Sequence, residues 1–403
     1  MARGSERKRE ERGAGLNKGL SSGVGIKFRG IIPKPHGVRE LGVDLKERWE
    51  TVRRKPWLVV LVVLMCSALT FGLWWVRVPN LLLAVIAIIA IFSFLFSKNR
   101  LLPLIIIILL AVMPFLVTDQ YWLRVVITIG IYVILALGLN IIIGFTGMLD
   151  LGFIAFFGIG AYATALLTLH FHWSFWLCLL VSIALGALVG VLRGLPTLRL
   201  SGDYLAIVTM GFGEIARLSF ANWVSLTRGP MGLPDITSPR LFGLDFAFRP
   251  ETGYIFYYFL ILLLVVVTIV VIEQIRRSRV GRAWMAIRED EVAASTMGVR
   301  LATQKSLAYA VGAAFGAMAG SFFAVFNSFV SPNSFTFFES AIVLCMVVIG
   351  GLGTIPGAIL GAVLLAAFPE ILRFVSEWRY LIFGALMVGV AIFRPMGILG
   401  KKS

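Results

Sequence analysis

Gly281-Arg-Ala-Trp-Met-Ala-Ile-Arg-Glu-Asp-Glu-Val-Ala-Ala-Ser-Thr-Met-Gly298 is a short polar interruption in an otherwise oily chain. A long apolar run precedes it and another follows it. Ala283, Ala286, Ala293 and Ala294 favour helix. Gly298 stands where a left-handed residue would end that helix. Met285 and Val292 are seven apart and share a face, while Arg282, Arg288, Glu289, Asp290 and Glu291 supply charge of both signs. The pattern predicts one helix over 282–298, lying outside the apolar runs. Physics alone leaves two roles open: a docking element for another protein, or an interfacial helix that orients its flanking spans.

The flanking runs define the class. Of 403 residues, 59% are hydrophobic and 14% charged, against about 45–50% and about 25% in soluble domains. Runs such as 255–272 and 101–117 approach the roughly 17–25 residues that cross a bilayer as a helix. The period-2 alternation of a membrane barrel is absent. The chain therefore reads as an all-α, polytopic transmembrane helical bundle.

The net charge of +16 is unevenly placed. Residues 1–56 hold fifteen Lys/Arg, and 274–305 hold seven more. Basic loops beside spans keep those loops cytoplasmic, and no nucleic-acid-binding module accompanies the charge. Residues 1–56 read as a basic cytoplasmic tail with little apolar content, and the first apolar run after them as a retained anchor. Cys66, Cys178 and Cys345 lie singly in apolar runs, without the spacing of a metal site or a disulfide framework.

Twelve membrane segments with both ends inside follow from this reading. Three accessory helices fill 57–118, at about 57–76, 80–97 and 101–117. From Tyr121 the spans gain glycine and isolated polar groups. The stretch 137–162 is dense enough in glycine to predict a tight turn, a broken helix or close helix contact. Gly186, Gly190 and Gly194 recur every four residues, as do Gly312, Gly316, Gly320 and then Gly353, Gly357, Gly361. Each triplet would place small residues on one helix face and let backbones approach. Asp203 is expected to cap a helix starting at Tyr204, and Glu214 to pair with Arg217 three residues on. The polar loop 222–253 lacks basic excess, which suits the outer side. His170 and His172 read as boundary residues. Two short segments, 338–350 and 354–368, precede a last span at 379–393.

Several stretches carry a family resemblance. Glu291-Val-Ala-Ala-Ser-Thr-Met-Gly298 resembles the Glu-x-Ala-Ala-x-x-x-Gly coupling loop of ABC importer permeases. Arg282–Glu291 resembles the LivM-type branch, a permease family of branched-chain amino acid transporters. Gly138-Leu-Asn-Ile-Ile-Ile-Gly144, Gly202-Asp-Tyr-Leu-Ala-Ile-Val-Thr209, Gly211-Phe-Gly-Glu214, Phe329-Val-Ser-Pro332 and Arg394-Pro-Met-Gly397 are similar to the same branch, in the same order. The resemblance covers about 121–400 and implies a permease domain over 119–400, with a periplasmic loop 222–253 and a cytoplasmic coupling loop 274–302. One departure stands out: Thr227-Arg-Gly-Pro-Met-Gly232 replaces a common Thr-Gly-Gly-Pro-Asn-Gly.

The resemblance further implies a non-enzymatic import subunit of the inner membrane. No Gly-x-x-x-x-Gly-Lys-[Ser/Thr] phosphate loop is present, so ATP and Mg would be held by partners and this chain would hold no cofactor. The implied partners are a LivH-type second permease, two ABC ATPase subunits and a periplasmic substrate-binding protein. Coupling to the ATPases is expected at Arg282, Glu289, Glu291, Ala293, Ala294 and Gly298. The substrate path is expected near Asn140, Thr146, Asp203, Thr209 and Glu214. Leucine, isoleucine and valine are the expected cargo; urea, short amides or another amino acid remain alternatives. An ion-coupled secondary transporter is the rival class, with Asp203 or Glu214 as its ion site.

Overall fold

The computed structural model describes residues 120–197, 200, 202–241, 244–245, 253–371, 384 and 397–399. The expected tail, the three accessory helices with Cys66 and, apart from residue 384, the last span at 379–393 lie outside the described residues.

Within them the chain is helical almost throughout. The principal helices are α1 (Gln120–Asn140), α2 (Ile154–Phe171), α3 (Phe175–Thr197), α4 (Asp203–Asn222), α5 (Gly253–Arg277), α6 (Arg279–Glu289), α7 (Glu291–Thr296), α8 (Leu301–Asn327), α9 (Phe337–Gly350) and α10 (Ile355–Ile371). Among the described residues, seven helices are long and apolar enough to cross a membrane. α1 to α5, α8 and α9 are those seven, and α10 is a shorter apolar helix. These eight coincide with the segments expected between 121 and 371. Consecutive spans run in opposite directions, so the bundle has a loop end, where α6 and α7 lie, and an opposite end.

α8 is the central helix, packed on α3 and α2. Lipid is as apolar as leucine, so association of spans rests on close packing and hydrogen bonds. The glycine triplets meet that need. A Cβ at Gly190 would stand 2.6 Å from the Tyr309 carbonyl of α8, and one at Gly312 would stand 2.8 Å from Ile142. Gly320 lies against the Phe157 carbonyl of α2. The Thr164 hydroxyl joins Ser182 at 2.9 Å and Ser321 at 2.7 Å, tying α2, α3 and α8 inside the core. The third triplet departs from expectation. Gly353 sits in the turn before α10 with φ +75°, so only Gly357 and Gly361 line the helix face against α9.

The glycine-dense stretch after α1 resolves as a broken helix. Ile141–Phe145 form one π-helical turn, and the chain then runs irregularly to α2. The Thr146 hydroxyl bonds the Ile142 carbonyl, and Gly152 packs directly on the Thr209 carbonyl of α4. Irregular backbone at membrane depth survives because protein encloses it; residues 141–145 are all buried.

The loop after α4 begins with the one-turn helix Val224–Thr227. Its two-residue strand Leu233–Pro234 pairs antiparallel with Phe329–Val330, which pins the loop to the end of α8. His172 ends α2 with φ +52°, at the helix boundary.

Candidate coupling interface and substrate path

The polar interruption folds as two helices, not the single helix expected over 282–298. Ser278 opens α6, its hydroxyl accepting from the Gly281 amide at 3.4 Å. Gly281 lets α6 fold back onto α5, since a Cβ there would stand 2.7 Å from Arg276 Cα. Gly281, Trp284 and Ile287 recur every three residues and are the buried face. The Trp284 indole donates to the Gln304 carbonyl at 3.0 Å, anchoring α6 to the start of α8.

Asp290 makes the break. Its backbone is extended, and its carboxylate accepts from the Val292 amide at 2.7 Å and the Ala293 amide at 2.9 Å. This is an N-cap for α7, which satisfies donors that α6 could not. Met285 and Val292 therefore stand on different helices, yet both remain exposed. Gly298 has φ +86°. The Val299 amide bonds the Ala294 carbonyl at 3.1 Å and the Gly298 amide bonds the Ser295 carbonyl at 3.0 Å. That left-handed helix end is the one expected at Gly298.

The expected coupling residues divide by environment. Arg282, Glu289 and Ala293 are exposed, and Arg282 bonds the neighbouring Arg277 carbonyl at 2.9 Å. Ala294 is buried against the bundle. Glu291 holds Lys305 of α8 at 2.7 Å; the Lys305 side chain is 6% exposed. Lys305 was not singled out from the sequence. Outward, the pair presents Met285, Val292 and Met297, with 40%, 72% and 85% of their surface free.

A second unanticipated residue links this pair to the spans. Arg288 donates to the Gly144 carbonyl at 2.7 Å, reaching the π-helical turn after α1. The adjacent Asn140 accepts from the Gly353 amide at 2.9 Å and donates to the Thr354 carbonyl at 3.3 Å. The turn between α9 and α10 also receives the 397–399 segment, where the Leu399 amide bonds the Gly350 carbonyl at 3.0 Å. Segments 138–144, 350–354 and 397–399, far apart in sequence, thus meet near Arg288.

The five expected path residues are not brought together. No hydrogen bond among the described residues joins one of them to another. Asn140 is fully buried in the turn lock just described. Thr146 is committed to the Ile142 carbonyl. Thr209 donates to the Ala206 carbonyl at 2.8 Å and accepts from the Leu151 amide at 3.0 Å. Asp203 does not cap α4: Gly202 occupies that position with φ +59°, and Asp203 is the exposed first residue. Glu214 does pair with Arg217, whose Nε donates at 3.0 Å, and the pair is partly exposed on the least buried span.

Sequence reasoning also missed a buried ion pair. Arg193 of α3 donates to Asp150 at 2.6 Å, with side chains 3% and 0% exposed. The guanidinium lies 5.0 Å from the ring centres of Phe156 and Phe212 and 5.3 Å from Tyr309. Asp150 also accepts from the Gly152 amide at 2.9 Å, which shapes the entry to α2. Lone ionisable residues in apolar segments are the signal that would have found both.

Together these features define a multi-pass helical membrane protein with a docked helix pair at one end, wired to a broken span. The family model described as "Branched-chain amino acid transport system / permease component" matches residues 121–391. The chain belongs to that family. It is 42% identical, over 287 residues, to the high-affinity branched-chain amino acid transport system permease protein LivM of Escherichia coli K12, and equally to that of Salmonella typhimurium LT2. Each match covers 67% of this chain and 68% of the relative. A shorter match, 33% identical over 129 residues, joins it to the Salmonella typhimurium permease protein LivH, covering 32% of this chain and 42% of that one. No solved structure matches the chain.

Proposed function

We propose that this chain is one of two permease subunits of an ATP-driven importer of leucine, isoleucine and valine in a bacterial inner membrane. The names of the LivM relatives support the cargo, and the shorter likeness to LivH supports a paired permease of related fold. The loop end is cytoplasmic, as the seven Lys/Arg of 274–305 favour, and both termini lie on that side. Two ATPase subunits carry ATP and Mg, and a periplasmic binding protein delivers the substrate. This chain performs no chemical step.

The observation that carries the reading is the α6–α7 pair. It is held to the bundle by Gly281, Trp284, Ile287 and the Glu291–Lys305 ion pair, while Met285, Val292 and Met297 face outward. Exposed apolar side chains beside Arg282 and Glu289 suit a protein partner better than water. ATP-driven closure of the motor moves the pair as a unit. Arg288 passes that movement to the turn at Gly144, and Asn140 passes it to the α9–α10 turn. The spans then open on one side and close on the other.

The exposed face of α4 is the wall turned to the second permease and the path. A partly exposed Glu214–Arg217 pair at membrane depth is unsuited to lipid, and Asp203 lies at that helix's inner end. Thr209 ties α4 to the Leu151 amide, while Asn140 and Thr146 hold turns elsewhere in the bundle.

The test is to purify the complex through this chain, identify the ATPases that travel with it, and measure labelled leucine uptake in proteoliposomes. The expected result is uptake that needs ATP and the binding protein, and that isoleucine and valine suppress. Suppression by urea or acetamide instead, or uptake driven by a proton or sodium gradient without the ATPases, contradicts the proposal.

A further inference from the structure

At the end of the bundle opposite α6 and α7, a cavity of about 280 Å³ opens between α1, α2, α8 and α9. That is close to the roughly 300 Å³ at which small-molecule pockets begin. Its lining combines charged, polar and apolar groups. Arg124, Thr128, Tyr132 and Leu135 recur at helical spacing along one face of α1, which carries the lining from the second turn of the helix about 16 Å inward at 1.5 Å per residue. Apolar surface comes from Ile131, Leu135, Ile154, Phe157, Phe323 and Phe326, and Asn327 and Ser334 add polar groups beside Thr128. The charged groups enter from two chain regions more than two hundred residues apart. Arg124 stands in the first turns of α1, and Glu339 in the first turn of α9.

Among the described residues, neither charge has an ion-pair partner. Glu339 accepts one hydrogen bond, from the Tyr132 hydroxyl to Oε2 at 3.0 Å, and its other oxygen has no partner among the described residues. The Arg124 guanidinium has no partner there either. The favourable position of an acid at a helix N-terminus accounts for Glu339 being on α9. It does not account for the carboxylate being held by Tyr132 into a cavity that also contains an unpaired cation. An ionisable side chain inside a span is costly and faces a cavity or a partner.

We propose that this cavity is an acceptance site for a free amino-acid zwitterion, occupied after delivery from outside and before passage through the bundle. The planar guanidinium of Arg124 matches a carboxylate with two parallel bonds. Glu339 takes the α-ammonium, with Tyr132 fixing the carboxylate's orientation. Ile131, Ile154, Phe157, Phe323 and Phe326 give an aliphatic side chain its contact surface. The site thereby selects for both charges at once and for a branched apolar tail. It rests on the reading of the chain as a branched-chain amino acid permease, and it adds that one permease subunit alone binds the cargo.

The experiment uses the full complex in nanodiscs without the binding protein, and reads binding of labelled L-leucine by scintillation proximity. Unlabelled leucine, 3-methylbutylamine, which lacks the carboxylate, and 4-methylpentanoate, which lacks the amine, serve as competitors. Saturable binding is expected, displaced by leucine and at least tenfold less well by either single-charge analogue. Glu339→Gln should weaken binding tenfold or more. Tyr132→Phe should weaken it about two- to fivefold, and Phe326→Trp, which fills the cavity without touching a charge, should abolish it. Co-purification of the partners with each variant shows that the fold is intact. Unchanged binding in both Glu339→Gln and Phe326→Trp overturns the site while leaving the transport function standing. A wild-type complex that neither binds nor imports leucine overturns both.

Discussion

At the loop end, Arg288, Asn140, Asp290 and Lys305 each meet a named partner, whereas at the opposite end Arg124 and one oxygen of Glu339 meet none among the described residues. The loop end joins four chain regions through polar contacts at 2.7–3.3 Å. Such a network has few arrangements open to it, and a push on α6 and α7 must move the turns it holds. The opposite end keeps a cavity and unpaired charge, which suits a surface that waits for a ligand. A transporter needs both: stiffness where force enters, and unspent hydrogen-bonding capacity where cargo enters.

The largest expected effect tests the stiff end. Asp150→Ala should cost about 3–5 kcal/mol, because it strands Arg193 in the core. Thermal unfolding in nanodiscs would read it. The double variant Asp150→Leu with Arg193→Met should recover most of the loss; if it does not, the pair does more than balance charge. Next comes Gly298→Val, expected to strain the helix end by about 1–2 kcal/mol. A Cβ there meets nothing within 4 Å, so the cost is confined to backbone. Uptake per ATP should fall while assembly persists, and Gly298→Asn, which tolerates a left-handed backbone, should behave nearly as the parent. Smallest is Glu214→Gln. A partly exposed pair contributes about 1 kcal/mol or less, so stability should hold within that margin. A fall in leucine uptake without a change in unfolding temperature would place α4 on the path, and unchanged uptake would remove it.

Much of this was legible in sequence, and the limits have physical causes. The eight segments between 121 and 371 were readable because bilayer thickness sets the length of an apolar run. The helical nature of 281–298 and its left-handed end at Gly298 followed from composition. The break at Asp290 did not, because Arg-Glu-Asp-Glu-Val-Ala-Ala reads equally well as helix interior. Only the carboxylate's turn onto the Val292 and Ala293 amides decides it. Asn140 was expected on the path because a polar group in an oily span invites function. Its partners lie 213 and 214 residues away, beyond any local pattern. Asp150 and Arg193, 43 residues apart, were visible singly but not as a pair.

The wiring of the stiff end is the central claim, and Arg288→Ala tests it most directly. The substitution removes a charged donor worth about 1.5–3 kcal/mol from the Gly144 carbonyl and leaves Met285, Val292, Met297 and the cavity lining unchanged. Leucine uptake and ATP hydrolysis would be measured together in proteoliposomes holding the whole complex. The account predicts that uptake falls at least tenfold while hydrolysis continues and the ATPases still co-purify. An unchanged ratio of leucine imported to ATP hydrolysed would contradict it.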